Sequence, residues 1–149
     1  MNDMKITIIL ADFAQVVNGK LYIMGGGWSI IGPEPCPTAI AIKIEVPWNQ
    51  TNQKHNLKVE LLDSNHHPVL VPTQVGNSPL KISADFEVGR PAGLIQGTSL
   101  DVPIAFNIAP MPLESGKRYI WKLIIDGHTN DDWQVAFTTR QSKQKPAIQ

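Results

Sequence analysis

Gln15-Val16-Val17-Asn18-Gly19-Lys20-Leu21-Tyr22-Ile23-Met24-Gly25-Gly26-Gly27-Trp28-Ser29-Ile30-Ile31-Gly32 decides the fold class. Asn-Gly between two β-prone runs is the strongest short hairpin signal, because a type I′ turn needs positive φ at both central residues. Asparagine tolerates that geometry, and glycine adopts it without steric cost. A two-residue turn fixes the register. Val17 then faces Lys20, Val16 faces Leu21 and Gln15 faces Tyr22. Continued outward, the same register sets Asp12 against Gly25, Ala11 against Gly26 and Leu10 against Gly27. Asp12 is the one charge between Ile6 and Val17. A bulge at the glycines would shift this pairing by one residue.

Three glycines weaken a strand, so geometry or function must account for them. One structural account is a bulge, or a sharp bend where the chain passes from one sheet to another; a second is close packing of an aromatic ring over the gap. The functional account is close approach of a ligand or a partner backbone. Asp12, Gly25, Gly26, Gly27 and Trp28 are therefore the candidate interaction or structural residues. The glycines do not form a phosphate loop. No Gly-Lys-Ser/Thr follows, the spacing fails Gly-x-Gly-x-x-Gly, and no helix follows to supply a dipole.

Period-two alternation recurs downstream. Ile40, Ile42, Ile44 and Val46 alternate with Ala39, Ala41, Lys43 and Glu45. Similar runs cover Leu57–Leu61, Ile82–Val88, Leu100–Ile108, Tyr119–Ile125 and Trp133–Thr139. Most have one apolar and one largely polar face, as antiparallel sheets with one wet side require. Ile120 and Ile124 make the Tyr119 run the exception. The intervals carry turn chemistry, including Trp48–Gln53, Asp63–Pro68, Val75–Pro79 and Gly127–Asp132. The sum is an all-β chain of about eight strands, an antiparallel sandwich of immunoglobulin-like or jelly-roll-like type, with a β-barrel as the alternative. Pro103 belongs at an edge or a bulge, since it cannot donate to a ladder. One domain spans residues 1–140, and the polar segment 141–149 reads as a flexible tail.

Composition bounds the partners. The chain has 149 residues, 42% hydrophobic and 17% charged, enough for one domain with its own core. Thirteen basic and thirteen acidic residues give a formal net charge of zero. That argues against a nucleic-acid or anionic-membrane partner and permits self-association. Cys36 is the single cysteine, so no intrachain disulfide forms, and a reducing, cytoplasmic setting is expected. The apolar run before Asp12 is too short for a signal-peptide core, and nothing approaches transmembrane length.

Chemistry-bearing motifs are scarce. Asp126, Asp131 and Asp132 flank a loop with His128 and Asn130, a group that could offer calcium oxygens, although Asp-Gly is ordinary turn chemistry and no EF-hand spacing is present. His66-His67 before Pro68 reads as an exposed turn rather than a closed metal site. No nucleophile elbow or His-Glu-x-x-His pair occurs. Trp121 and Trp133 lie on core-like faces. Trp28 and Trp48 lie beside glycines or in a turn, where an exposed ring would suit sugar stacking or a protein contact.

Leu10-Ala11-Asp12-Phe13-Ala14-Gln15-Val16, then Gly19-Lys20-Leu21-Tyr22-Ile23 and Gly25-Gly26-Gly27-Trp28, resemble the opening signature of a bacterial single-domain β-protein family of unknown function. The resemblance covers roughly the first third of the chain. It implies a bacterial origin and no particular activity, and it makes Asp12 and the glycines part of the fold's identity. The expectation is a non-enzymatic sandwich that binds a protein partner or itself, without a cofactor. The alternative is a small-ligand module for a carbohydrate or calcium. An enzyme with its site at the Asp12–glycine corner is the third reading.

Overall fold

The computed structural model describes residues 3–142. Chain segment 143–149, most of the expected tail, lies outside the described residues. The opening stretch forms the expected hairpin: β1 (Lys5–Val17) pairs antiparallel with β2 (Lys20–Gly26). Asn18 and Gly19 have φ of 50° and 73°, the type I′ signature. From the second run the chain crosses through Gly27-Trp28-Ser29 to a two-residue strand, β3 (Ile30–Ile31). Then follow β4 (Thr38–Val46), a single 3₁₀ turn at Trp48–Gln50, and β5 (His55–Asp63). A small hairpin, β6 (Leu70–Thr73) and β7 (Gly76–Pro79), leads into β8 (Lys81–Phe86). The chain closes with β9 (Leu100–Ile108), β10 (Arg118–Ile125) and β11 (Gln134–Thr139).

Among the described residues, nine strands form two sheets, ordered β2-β1-β4-β9 and β3-β11-β10-β5-β8. All their pairings are antiparallel except β3 with β11. The all-β sandwich expected from alternation is therefore present, with eleven strands among the described residues instead of about eight. The additional strands are short. Residues 76–79, expected as a turn, pair with β6, because the reversal falls earlier, at Gln74-Val75. Pro72, Gly76 and Pro79 break the alternation that would have announced this hairpin. Pro103 lies in β9, an edge strand, opposite Lys43.

The alternating residues build one core between the sheets. Leu10, Ile40, Ile42 and Ile44 from the first sheet pack with Leu57, Val59, Leu61, Trp121, Leu123 and Phe137 from the second. Burial of this apolar surface is the main favourable term. Phe137 lies near Tyr119 and Trp121 in stacked geometry and meets Trp28 edge-on.

One face departs from the expected wet side. Ala39 and Ala41, on the face of β4 turned away from this core, are 0% and 1% exposed. They form a second cluster with Ala11 and Ala14, against which Ile9, Leu21 and Ala105 pack. The first sheet therefore curls, and the far half of its opening hairpin folds over its own outer face. Small side chains at these positions let the strands approach.

Ile42 is fully buried in the main core, so Ile42→Ala should lower unfolding stability by about 2–5 kcal/mol in urea titration. Exposed Lys58→Ala should stay within about 0.5 kcal/mol of the parent.

Candidate functional site: the curled hairpin

The hairpin keeps one register over its whole length. Phe13↔Met24 to Val17↔Lys20 pair on the turn side, and Ala11↔Gly26 continues the same register at the base. Gly27 N donates to Leu10 O at 2.8 Å, which extends it further. Between these parts, Asp12 and Gly25 are skipped by the ladder. The one-residue shift considered for a bulge is absent.

What changes at this point is the facing of the side chains. In a regular strand Ile23 and Gly26, three residues apart, point to opposite faces. A Cβ on Gly26 would instead lie 2.6 Å from Ile23 Cγ2, 3.4 Å from Ile9 Cγ2 and 3.6 Å from Ala11 Cβ. Ile23 and Gly26 therefore share the outer face. On the opposite strand Ala11 and Ala14, also three apart, join the same outer cluster. Each strand has slipped by one residue in facing, at Asp12–Phe13 and at Met24–Gly25. Because both slip together, the register survives.

The glycines make the double slip possible. Gly25 has φ +61°, a left-handed conformation that costs an L side chain about 1–3 kcal/mol. Its missing Cβ also leaves room for Asp12, whose Cγ would stand 2.7 Å from such an atom. Gly26 has no room for a side chain beside Ile23. Gly27, at φ +93°, turns the chain out of the first sheet. Trp28 then packs edge-on to Phe137, with centroids 6.3 Å apart, as a partly buried part of the main core. Its indole Nε1 is buried without a hydrogen-bond partner among the described residues.

Downstream of the slip, the hairpin turns Phe13, Gln15, Val17, Lys20, Tyr22 and Met24 away from the alanine cluster. Phe13 is 43%, Tyr22 53% and Met24 66% exposed. Strand β2 is an edge strand. Asn107 of β9 holds the curl from the other side: its Oδ1 accepts from Ala14 N at 3.2 Å, and its Nδ2 donates to Ala14 O at 2.7 Å. Beside Asp12 lies a groove of about 230 Å³ between Phe13, Pro37, Asn107 and Pro110. Asp12 is the only titratable side chain among its lining residues.

The other sequence candidates do not join this site. Trp48 carries the Arg90 guanidinium over its ring at 4.1 Å, while Arg90 donates to Trp48 O and to Thr51 Oγ1. His66 and His67 sit in a turn whose Asp63 Oδ1 accepts the His67 and Asn65 N–H groups. Among the described residues, no group of three or more His, Cys, Asp or Glu is placed to hold a metal. Near the other end of β10, a more polar groove of about 390 Å³ runs between Asp63, Asn65, Glu114, Lys117 and Arg118.

A pair 71 residues apart escaped sequence reasoning. His55, 4% exposed, sets Nδ1 2.6 Å from Asp126 Oδ2 and Nε2 2.8 Å from Gln50 O. Both partners are acceptors, so the ring tautomer decides which nitrogen donates. Asp126 Oδ1 also accepts Asn56 N at 2.8 Å. Burial pushes the Asp126 carboxyl up. The hydrogen bonds from His55 and Asn56, with the charges of His55 and His128, outweigh burial and hold it below the usual carboxylate range. Asp126, expected as a calcium candidate, thus braces the 3₁₀ turn and the β10–β11 turn. Only a shared fold brings these residues together, and no local spacing signals it.

These features define a two-sheet β protein with a curled, solvent-facing apolar hairpin. The family model described as a family of unknown function, DUF6941, matches residues 6–138, and the chain belongs to that family. No curated protein and no solved structure matches the chain.

Gly25→Ala should destabilise by about 1–3 kcal/mol in denaturant titration. The loss should shrink in an Asp12→Gly background, because part of it is collision with Asp12; strictly additive losses would refute that competition. Asp126 has a depressed folded-state value, so its stabilisation is present above the unfolded carboxylate range, near about pH 4, and fades as pH falls through the folded value. Asp126→Asn should therefore lower the melting temperature at neutral pH and flatten the acid limb of the stability curve. Parallel acid limbs for parent and variant would contradict this.

Proposed function

We propose that this protein is a non-enzymatic interaction module that docks a protein, another chain or a second copy of itself, through the β1–β2 hairpin. The observation that carries this reading is the concentration of exposed large apolar residues there. Phe13, Val16, Val17, Tyr22, Ile23 and Met24 all lie on this one edge hairpin and are at least 37% exposed. Phe13, Val17, Tyr22 and Met24 share the face turned away from the alanine cluster, and contiguous exposed apolar patches mark interaction sites. Tyrosine, phenylalanine and methionine are also enriched at the centres of interfaces. An unprotected edge strand adds backbone donors and acceptors for strand addition.

The Asp12–glycine corner supports the same reading. Its glycines are accounted for by the facing slip, and the adjoining groove offers Asp12 no second titratable group. The curl does not hide the hairpin; it presents it. A net charge of zero suits association with another surface of low charge. The lone Cys36 favours a reducing compartment, and the opening signature favours a bacterial cytoplasm. Among the described residues, no helix is long and apolar enough to cross a membrane.

A photo-crosslinking amino acid at Tyr22 or Met24, introduced in the native host, should yield a discrete protein adduct. The same group at exposed Lys58 on the second sheet should not. Equal labelling from all three positions, or none from the hairpin, would overturn the proposal.

A further inference from the structure

We infer that the occupant of this hairpin is a second copy of the chain, paired edge to edge through β2 about a twofold axis at Tyr22. The inference rests on the docking role proposed above and names the partner. It follows from which backbone groups face outward and from where the two charges of the hairpin stand.

The two-residue turn makes Val17 and Lys20 a hydrogen-bonded pair, and pairs then alternate along an antiparallel ladder. Lys20, Tyr22 and Met24 thus direct their N–H and C=O groups toward β1. Leu21 and Ile23 direct theirs to the open edge. The straight part of β2 runs from Lys20 to the slip at Gly25, and its midpoint is Tyr22. An antiparallel copy centred there sets Leu21 opposite Ile23 and Ile23 opposite Leu21. Both outward residues of each copy then join the new ladder. Tyr22 faces its own copy in a non-hydrogen-bonded pair, where side chains approach most closely. No charged residue, proline or bulge interrupts Leu21–Met24, so the usual devices that block edge pairing are missing.

Charge selects the copy over an arbitrary strand. Asp12 and Lys20 are the only charged residues between Leu10 and Gly32. They share the solvent face of the hairpin, at opposite ends, about 17 Å apart along the strand. Neither has a salt-bridge or hydrogen-bond partner among the described residues. In the symmetric pairing, Lys20 of each copy stands beside Gly25 of the other. The offset is about 4.8 Å across and about 3.4 Å along the strand, within reach of the four-carbon lysine stem. Gly25 is the residue over which Asp12 lies. The same missing side chain that admits Asp12 from its own strand leaves it open to a lysine from the other side. Two equivalent Lys20–Asp12 contacts result.

The test is a charge swap read by sedimentation velocity. The parent should form a dimer whose fraction rises with concentration. Lys20→Glu alone and Asp12→Lys alone each place like charges together twice and should weaken self-association about tenfold or more. An equimolar mixture of K20E and D12K should recover dimer, because the heterodimer has opposite charges at both contacts. Melting curves check that each variant folds. Should D12K not fold, Tyr22→Cys in a Cys36→Ser background gives a second readout. It should form an intermolecular disulfide under mild oxidation, as cross-strand cysteines at a non-hydrogen-bonded pair are close enough to bridge. Lys58→Cys in the same background should not. A parent that stays monomeric at all concentrations, a mixture that recovers no dimer, or equal disulfide yields at positions 22 and 58 would overturn self-pairing. A hairpin crosslink to a different protein would then still uphold the docking role, so the two proposals fail separately.

Discussion

The structure turns on the absence of a side chain at Gly25 and Gly26. Two hydrogen-bonded strands cannot change facing separately without losing register, because a slip in one alone leaves an unpaired residue. Here both slip at the same level, and the ladder resumes with the register intact. The left-handed backbone at Gly25 permits the turn, and the space above it takes the Asp12 side chain. Everything beyond that level is re-aimed. Residues in line with the main core before Asp12 give way to residues in line with solvent, and the outer face gains its own cover.

That cover explains the composition of β4. Its inner face carries Ile40, Ile42 and Ile44, the bulk of the sandwich core from this strand. Its outer face carries Ala39 and Ala41, which would be unremarkable on a wet surface and are instead almost wholly buried. Alanine is what a strand can offer when another strand pair folds closely over it. Asn107 completes the contact by satisfying both backbone groups of Ala14, groups that the curl would otherwise leave without a partner. Sheet curvature, small side chains and one amide thus set the orientation of the hairpin.

The opposite end of the sandwich is held by polar contacts. His55 joins the 3₁₀ turn to the Asp126-Gly127 turn and stacks against Phe86, with ring centroids 5.2 Å apart. Arg90 ties the same 3₁₀ turn to the loop after β8 through Trp48 and Thr51. Each of these side chains bridges two loops. Both ring nitrogens of His55 lie within hydrogen-bonding distance of an acceptor, one a carboxylate and the other a backbone carbonyl.

The sequence by itself determined the elements governed by local rules. Asn18-Gly19 dictated the turn, the turn dictated the register, and period-two alternation from Ile40 to Thr139 marked most of the strands and the residues that fill the core. The three glycines marked the place where regular pairing fails. Short strands were hidden where proline and glycine interrupt alternation, as in Leu70–Pro79, or where two residues pair with a strand over a hundred positions away, as Ile30 does with Thr138. Only the tertiary structure decided which way the hairpin faces past Asp12, because register counts residues and cannot reveal a slip made by both strands. It alone decided that Ala39 and Ala41 are core, and that His55 meets Asp126, because burial and long-range contact depend on what the rest of the chain lays against each residue.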